Sequence, residues 1–318
     1  LLGGGDWNDG LDHAGIDGRG ESVALSMLCY DVLMRFKEYC DKKTKEFFNE
    51  TAEKLKKNID EYCFEDGQYK RLFTDEGKWY GASNTSEYNI DLVAQSFATL
   101  YNIADERKRI SCLNAAKQLV NEKLGIIKLL SPPLTKKTYL GYISSYPKGI
   151  RENGGQYTHS AIWYIMALIR AGKQEEAFEL FQMINPTEKC RFADNNQMYK
   201  GEPYVLAADV YYNSDNKGRA GWTWYTGSAA WAYRLIVEEF FGLKRNGDKL
   251  VILPNLLKKL INSEILYKYN ISEYIIEYVQ GEKNRLTVDG VKKGGFEVRL
   301  ENKKRSKIVV EIAFEEEF

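Results

Sequence analysis

The chain has 318 residues, more than one ordinary core requires, which predicts a large domain or a large domain with a small companion. Its 45 Lys and Arg balance 45 Asp and Glu, leaving no surplus charge to concentrate nucleic acid or an anionic membrane, and no nucleic-acid partner is expected. The longest apolar run, Ala161 to Ile169, meets Arg170 well short of the about 18–20 residues of a membrane span; five cysteines leave one unpaired and lack ligand spacing, and two histidines, His13 and His159, exclude a histidine-rich zinc site. These features predict a soluble cytoplasmic protein with reduced thiols, no metal and no cofactor.

The chain opens on Leu1 rather than Met and runs straight into Gly3-Gly4-Gly5 without a charged-then-apolar leader, so it reads as a piece of something longer. Next comes Gly5-Asp6-Trp7-Asn8-Asp9-Gly10. Its plain reading is a turn feeding an Asx-type cap; a calcium loop fails, because the required glycine would fall on Leu11. The functional reading is a sugar site in which Trp7 stacks on a pyranose and a carboxylic acid protonates a leaving oxygen.

Helices follow in pairs. Glu21–Cys40 carries Val23, Leu25, Met27, Leu28, Val32, Leu33 and Phe36, apolar around much of its circumference, and is expected to be an inner helix. In Lys43–Tyr62 the residues Phe48, Ala52, Leu55 and Ile59 form one stripe opposite a Lys/Glu face, the pattern of an outer helix. The alternation recurs in Asp91–Ala104 with Glu106–Glu122, and in Thr158–Ala171 with Lys173–Ile184, before a last helix from Ser228 to about Phe241. Repeated inner and outer helices predict a helical toroid or solenoid, although no fixed sequence period is present.

Two long loops, Tyr139–Tyr157 and Lys200–Thr226, are rich in Gly, Tyr, Trp, Arg and Asn, the composition of loops that carry a site. After Gly242 the pattern turns to short strands at Leu250–Leu253, Ile271–Tyr278, Arg285–Val288, Phe296–Leu300 and Lys307–Ile312, with turns at Gly281, Asp289-Gly290 and Gly294-Gly295. The expected fold is mainly α, residues 1–244, closed by a small C-terminal β domain, residues 245–318.

Two further motifs stand at helix starts. Arg151-Glu152-Asn153-Gly154-Gly155-Gln156-Tyr157-Thr158-His159 leads into a helix with Thr158 as the expected cap and His159 in the first turn, where amides and the dipole favour anions; a lone histidine there is more often a surface or satisfied core residue. Gly221-Trp222-Thr223-Trp224-Tyr225-Thr226-Gly227 has the same relation to the helix from Ser228, and its alternative reading is an aromatic core loop. Together the two helix starts, His159 and the Thr226 hydroxyl can supply donors to one oxyanion. A phosphate there would favour retention of the Asp9 proton, which is the machinery of a phosphorolytic glycosidase.

These motifs, with Pro147-Lys148-Gly149-Ile150 before Arg151 and with Glu202-Pro203-Tyr204-Val205, resemble glycoside hydrolase family 94 in composition, order and spacing over nearly the whole chain. The resemblance implies a partial (α/α)6 barrel followed by a small β domain, corresponding to the rear part of a family member. It implies Asp9 as general acid, Trp7 in the glycone subsite, Arg151 and Glu152 as sugar contacts, and His159, Thr226 and Gly227 as the phosphate site. Arg151, Gln156-Tyr157-Thr158-His159 and Asp209-Val210-Tyr211 look closer to 1,2-β-oligoglucan phosphorylases and the phosphorylase part of cyclic β-1,2-glucan synthases than to cellobiose phosphorylases.

The function implied is inverting phosphorolysis of a β-glucoside, most readily a β-1,2-gluco-oligosaccharide, to α-glucose 1-phosphate. The substrates are the oligosaccharide and inorganic phosphate, with room for a homodimer of the full-length protein. In the family, a phosphate-binding arginine and a glycone-holding Arg/Asp pair come from a front part that this sequence does not contain, so the chain alone is expected to be inactive and prone to associate. The rivals are a cellobiose- or cellodextrin-type phosphorylase, an inverting hydrolase using Glu152 or Asp6 as base, and a catalytically silent glycan-binding piece.

Overall fold

The computed structural model describes residues 2–224, 226–254, 256–302 and 305–314. The chain falls into two compact units, Leu1–Trp231 and Ala232–Phe318. The first is mainly helical and the second is built on β-sheet.

The first unit follows the predicted pairing. Helix α1 (Val23–Phe36) is followed by α2 (Lys42–Tyr62), α3 (Leu92–Leu100) by α4 (Glu106–Ala116), and α5 (Thr158–Arg170) by α6 (Gln174–Ile184). Short polar residues set several starts: Ser22 caps α1 through the Leu25 amide, Asp41 caps α2 through Thr44, and Asp105 caps α4 through Lys108. Asp91 caps α3 by accepting from the amides of both Val93 and Ala94.

All of α3 is buried, and α5 is buried from Ser160 to Ile169, so these are inner helices; they pack on one another, with the rings of Phe97 and Trp163 4.9 Å apart. The outer α2 buries only Ala52 and Ile59 fully, with Phe48 and Leu55 half-buried along the predicted stripe. Helix α1 departs from expectation. It packs against α2 and α3 and buries Val23, Ala24, Met27 and Tyr30, while Val32 and Phe36 stay 52% and 57% exposed. Its all-round apolarity therefore does not make it an all-round buried helix.

Two short helices within the unit escaped the sequence reading, α7 (Pro186–Lys189) and α8 (Ala193–Tyr199). Both lie in polar sequence without a sustained apolar stripe, which is the signal such a reading depends on. The predicted Ser228–Phe241 helix is α-helical as α9 (Gly227–Arg234) and π-wound over Leu235–Phe240. Short two-residue strands stitch the loops ahead of the inner helices: Glu21–Ser22 pairs with Leu72–Phe73, Ile90–Asp91 with Leu130–Ser131, and Gln156–Tyr157 with Asp209–Val210. Each pair fixes where an inner helix begins.

The second unit contains a five-stranded sheet in the order Glu264–Tyr269, Ser272–Gln280, Arg305–Ile312, Arg285–Val288, Val291–Lys292. All its pairs are antiparallel except Ser272–Gln280 with Arg305–Ile312. A three-stranded sheet joins Leu243–Asn246, Lys249–Ile252 and Glu297–Arg299. Alternation along Ser272–Gln280 turns Tyr274, Ile276 and Tyr278 inward, where they meet Leu250, Ile252, Leu286, Ile308 and Val310. The strands Leu243–Asn246 and Glu264–Tyr269 were not read from the sequence; each is rich in Lys, Arg, Asn or Glu, and no residue of the latter is fully buried.

Candidate active site

The segment from Asp6 to Gly10 folds as the predicted Asx-type turn. Asp6 Oδ1 accepts the Asn8 amide at 2.9 Å and Asn8 Oδ1 accepts the Gly10 amide at 3.1 Å, capping a short 3-10 turn over Asp9–Leu11. Gly10 is pressed against Ile143, so that a Cβ there would come within 2.9 Å of the Ile143 side chain. Asp6 and Asn8 are buried, whereas Asp9 is exposed. The turn and functional readings are therefore compatible: the turn buries the residues that build it and presents Asp9.

Asp6 cannot serve as a catalytic base. Burial pushes its carboxyl up, but the Arg71 charge and hydrogen bonds from Arg71, Ser22 and the Asn8 amide outweigh burial and hold it below the usual carboxylate range. Its oxygens are committed to these partners. Arg71, with no exposed surface, donates from Nη1 to Asp6 and to Ser22, each at 3.0 Å. This ion pair removes Asp6 as the base of an inverting hydrolase.

Trp7 stands in a group of rings. Its centroid lies 5.6 Å from Tyr157, 5.8 Å from His159 and 4.7 Å from Trp163, and Tyr157 stacks on His159 at 5.4 Å. Trp163 also meets Trp231 edge-on at 5.5 Å. Burial lowers the pKa of His159 to about 4, so the ring is neutral at pH 7, and its Nδ1 has no hydrogen-bond partner.

His159 sits in the first turn of α5, as expected, but the cap differs. Tyr157 occupies the cap position without a side-chain bond, and Thr158 is the first helical residue, its amide donating to Ala208 O at 2.8 Å and its hydroxyl accepting from Gln156. Helix α9 begins at Gly227, one residue before the expected Ser228; Thr226 Oγ1 accepts the Ser228 amide at 3.2 Å and lies 2.6 Å from the Ser228 hydroxyl. Gly227 abuts His159, since a Cβ at that position would lie 2.8 Å from His159 Nε2. The starts of α5 and α9 thus meet at the His159 ring. Trp222 and Trp224 are 59% and 54% exposed, which overturns the core-loop reading for this segment; Tyr225 lies outside the described residues.

Arg151 has a φ of +47°, in the left-handed region that non-glycine residues seldom adopt, within a tight turn closed by the bridge between Ile150 and Asn153. Asn153 anchors that turn by accepting the Leu134 amide and donating to the carbonyls of Leu134 and Tyr146. The Arg151 guanidinium pairs with Glu152 at 3.3 Å and lies 5.3 Å from the Tyr146 ring centre. Glu152 is raised above its ordinary pKa, by burial first and also by the charge of Asp209, against the opposing pull of Arg151. The Tyr146 hydroxyl is raised by burial and by the charges of Glu152, Asp209 and Asp9, so Asp9 and the Arg151–Glu152 pair share one electrostatic neighbourhood.

Of the seven residues singled out from sequence, Trp7, Arg151 and His159 all contact Tyr157, Glu152 pairs with Arg151, Gly227 abuts His159 beside Thr226, and Asp9 lies on the turn that follows Trp7. Sequence reasoning missed Arg71, Tyr88 and Asp91, which hold the Asp6 turn from behind, and it used Asp209 only as a subfamily mark. Asp209 Oδ1 accepts the Trp222 amide at 3.1 Å, and a Cβ on Gly221 would come within 2.2 Å of that oxygen. Asp91 alone carried a readable signal, an acidic residue directly before the apolar run Leu92–Leu100. Among the described residues no group of three or more His, Cys, Asp or Glu is placed to hold a metal ion, all five cysteines are free, and no helix is long and apolar enough to cross a membrane.

Comparison with known proteins gives 39% identity over 260 residues to the cyclic β-(1,2)-glucan synthase NdvB of Rhizobium meliloti, covering 80% of this chain and 9% of that protein. Solabiose phosphorylase of Paenibacillus borealis is 27% identical over 299 residues, covering 90% of this chain and 38% of the relative. The 1,2-β-oligoglucan phosphorylase of Listeria innocua is 22% identical over 320 residues, covering 91% and 29% respectively. The chain thus spans well under half the length of each of these relatives. Residues 1–242 match the catalytic domain of the glycosyl hydrolase 94 superfamily, and the chain belongs to that family.

Proposed function

We propose that the protein carrying this chain is an inverting glycoside phosphorylase, a glycosyltransferase that moves a glucosyl group from a β-glucoside to inorganic phosphate. The observation that carries the reading is the meeting of the α5 and α9 starts at His159 and Gly227, with Trp7 beside them and Asp9 exposed on the neighbouring turn. Helix starts and hydroxyls favour a phosphate anion, and an aromatic face suits a sugar ring. The likeness to the Rhizobium synthase and the Listeria phosphorylase supports a β-1,2-gluco-oligosaccharide as substrate.

In this mechanism His159, Thr226 and the Gly227 amide hold phosphate against the face of the sugar opposite the leaving group. A phosphate oxygen forms the new bond to the anomeric carbon as the glycosidic bond breaks, and Asp9 donates its proton to the departing oxygen. The products are α-glucose 1-phosphate and a shortened acceptor. Phosphate is the nucleophile, so no base carboxylate is needed. Trp7, Arg151 and Glu152 bind the sugars, the Glu152 carboxylate, paired with Arg151, accepting from a sugar hydroxyl. No cofactor takes part.

The same reading makes the first 244 residues part of an (α/α)6 barrel, with residues 245–318 as the small β domain, in a cytoplasmic enzyme whose complete form can dimerise. The experiment is product formation from a β-1,2-gluco-oligosaccharide with and without phosphate, using the complete protein. Strict dependence on phosphate supports the phosphorylase; glucose release at the same rate in phosphate-free buffer makes it a hydrolase, and sugar binding without turnover makes it a binding module.

A further inference from the structure

We infer that Arg71 and Asp6 form a buried positioning unit for Asp9, fixing the turn that aims the acid at the leaving oxygen. The inference rests on the assignment of Asp9 as general acid and concerns residues that touch no substrate.

Arg71 has no exposed surface, and its guanidinium engages three separate pieces of the first unit. It forms a two-pronged pair with Asp6 on the Asp9 turn. It donates to Ser22, the cap of α1, and its Nε lies 3.5 Å from Asp91, the cap of α3. Ser22 in turn donates to Asp6, and Asp91 accepts from the Tyr88 hydroxyl at 2.7 Å. The guanidinium is thus tied to the capping residues of α1 and α3, two helices that pack on one another.

The route to Asp9 is short. Asp6 Oδ1 fixes the Asn8 amide, Asn8 Oδ1 fixes the Gly10 amide, and Asp9 is the residue between those two anchored amides. Its own side chain is exposed, so the backbone on either side is what sets its aim. The Arg71 backbone is also clamped: its amide bonds to Tyr80 O, its carbonyl accepts from Val23, and Gly81 packs so closely that a Cβ there would lie 2.4 Å from Arg71 Cβ. A buried charge pair costs much desolvation and is weak support for stability alone; here both terminal nitrogens of Arg71 are hydrogen-bonded, to Asp6 and Ser22, while Nε has only the Asp91 charge beside it, and the bonded end is the one that holds the turn. General acid catalysis needs that geometry, because proton transfer fails when the acid is misplaced by an ångström.

A misaimed acid has a signature that general loss of structure lacks: the rate falls only where the leaving group needs a proton. The test uses the complete protein with Asp6→Asn and Ser22→Ala, assayed on an unactivated gluco-oligosaccharide and on a 4-nitrophenyl β-glucoside, whose departing phenolate needs little protonation. Expected is a loss of kcat of roughly 10- to 100-fold on the oligosaccharide, under about threefold on the aryl glucoside, with the KM for phosphate unchanged. Equal losses on both substrates, or wild-type rates on both, overturn the positioning role. Asp9→Asn is the control: if it loses rate equally on both substrates, the acid assignment itself fails, whereas a selective loss in Asp9→Asn that Asp6→Asn does not share removes only the positioning unit. Should Asp6→Asn not fold, Tyr88→Phe removes a single hydroxyl from the Asp91 side, and a selective loss of about threefold on the oligosaccharide is expected; no selectivity there overturns the inference.

Discussion

Gly227→Ala separates the phosphate site from the fold better than a truncation does. Gly227 is the first residue of α9, and no positive φ requires glycine there, so alanine should favour the helix by up to about 1 kcal/mol. The added Cβ, however, would lie 2.8 Å from His159 Nε2, inside any ordinary contact. The ring at the end of the His159 side chain can turn away more cheaply than two helices can separate, so the cost should fall on the site. Losing one hydrogen bond to a charged ligand is worth roughly 1.5–3 kcal/mol, a weakening of phosphate binding by about 10- to 100-fold. Calorimetric titration with inorganic phosphate, paired with a thermal melt, reads both quantities. A melting temperature equal to or above wild type with weakened phosphate binding is expected. Unchanged phosphate affinity would refute the placement of the anion at the junction of His159 and Gly227.

Other outcomes follow from the same geometry. Asp9→Asn should lower kcat on an unactivated oligosaccharide by about 10²- to 10⁴-fold while phosphate still binds, and a near-normal rate would remove Asp9 from the acid role. His159→Ala and Thr226→Val should each raise the KM for phosphate roughly tenfold to a hundredfold with little change for the sugar; the reverse pattern would mean the pocket lies elsewhere. Because burial takes His159 down to about 4 while an unfolded histidine titrates near 6.5, its contribution to stability is complete above about pH 6.5 and is lost as pH falls through about 4. Undiscounted this is about 3 kcal/mol, and with the ring partly open to solvent roughly half of that is expected. Urea melts at pH 7 and pH 4 should show wild type losing more stability than His159→Gln, and identical slopes would show that the ring is not desolvated.

Sequence pattern exposed the helices better than the site's support. The stripe of Phe48, Ala52, Leu55 and Ile59 and the unbroken apolar run from Ala161 to Ile169 translate directly into an outer and an inner helix, because periodicity reports burial. The apolarity of α1 misled, since Val32 and Phe36 are exposed despite their type. Short strands such as Gln156–Tyr157, paired with Asp209–Val210, have too few residues to show alternation. The candidate site residues were visible because Trp, His, Gly and Thr gather in dense local motifs. Arg71 was invisible for the opposite reason: it lies 65 positions from Asp6, outside every motif and periodic segment of the sequence, and only folding makes it the buried partner of the turn. The Thr158 cap failed because the strand pair delivers Ala208 O to the Thr158 amide, so the helix starts one residue earlier than a hydroxyl cap would set it.

The most direct measurement is the anomeric configuration of the sugar phosphate released from a β-1,2-gluco-oligosaccharide by the complete protein, followed by phosphorus and proton NMR in parallel with Asp9→Asn. Phosphate attacking from the face opposite a departing β-linked acceptor gives α-glucose 1-phosphate as the first product, at a rate that collapses in the variant. β-Glucose 1-phosphate, free glucose formed without phosphate, or an Asp9→Asn enzyme of undiminished rate would contradict the inverting phosphorylase.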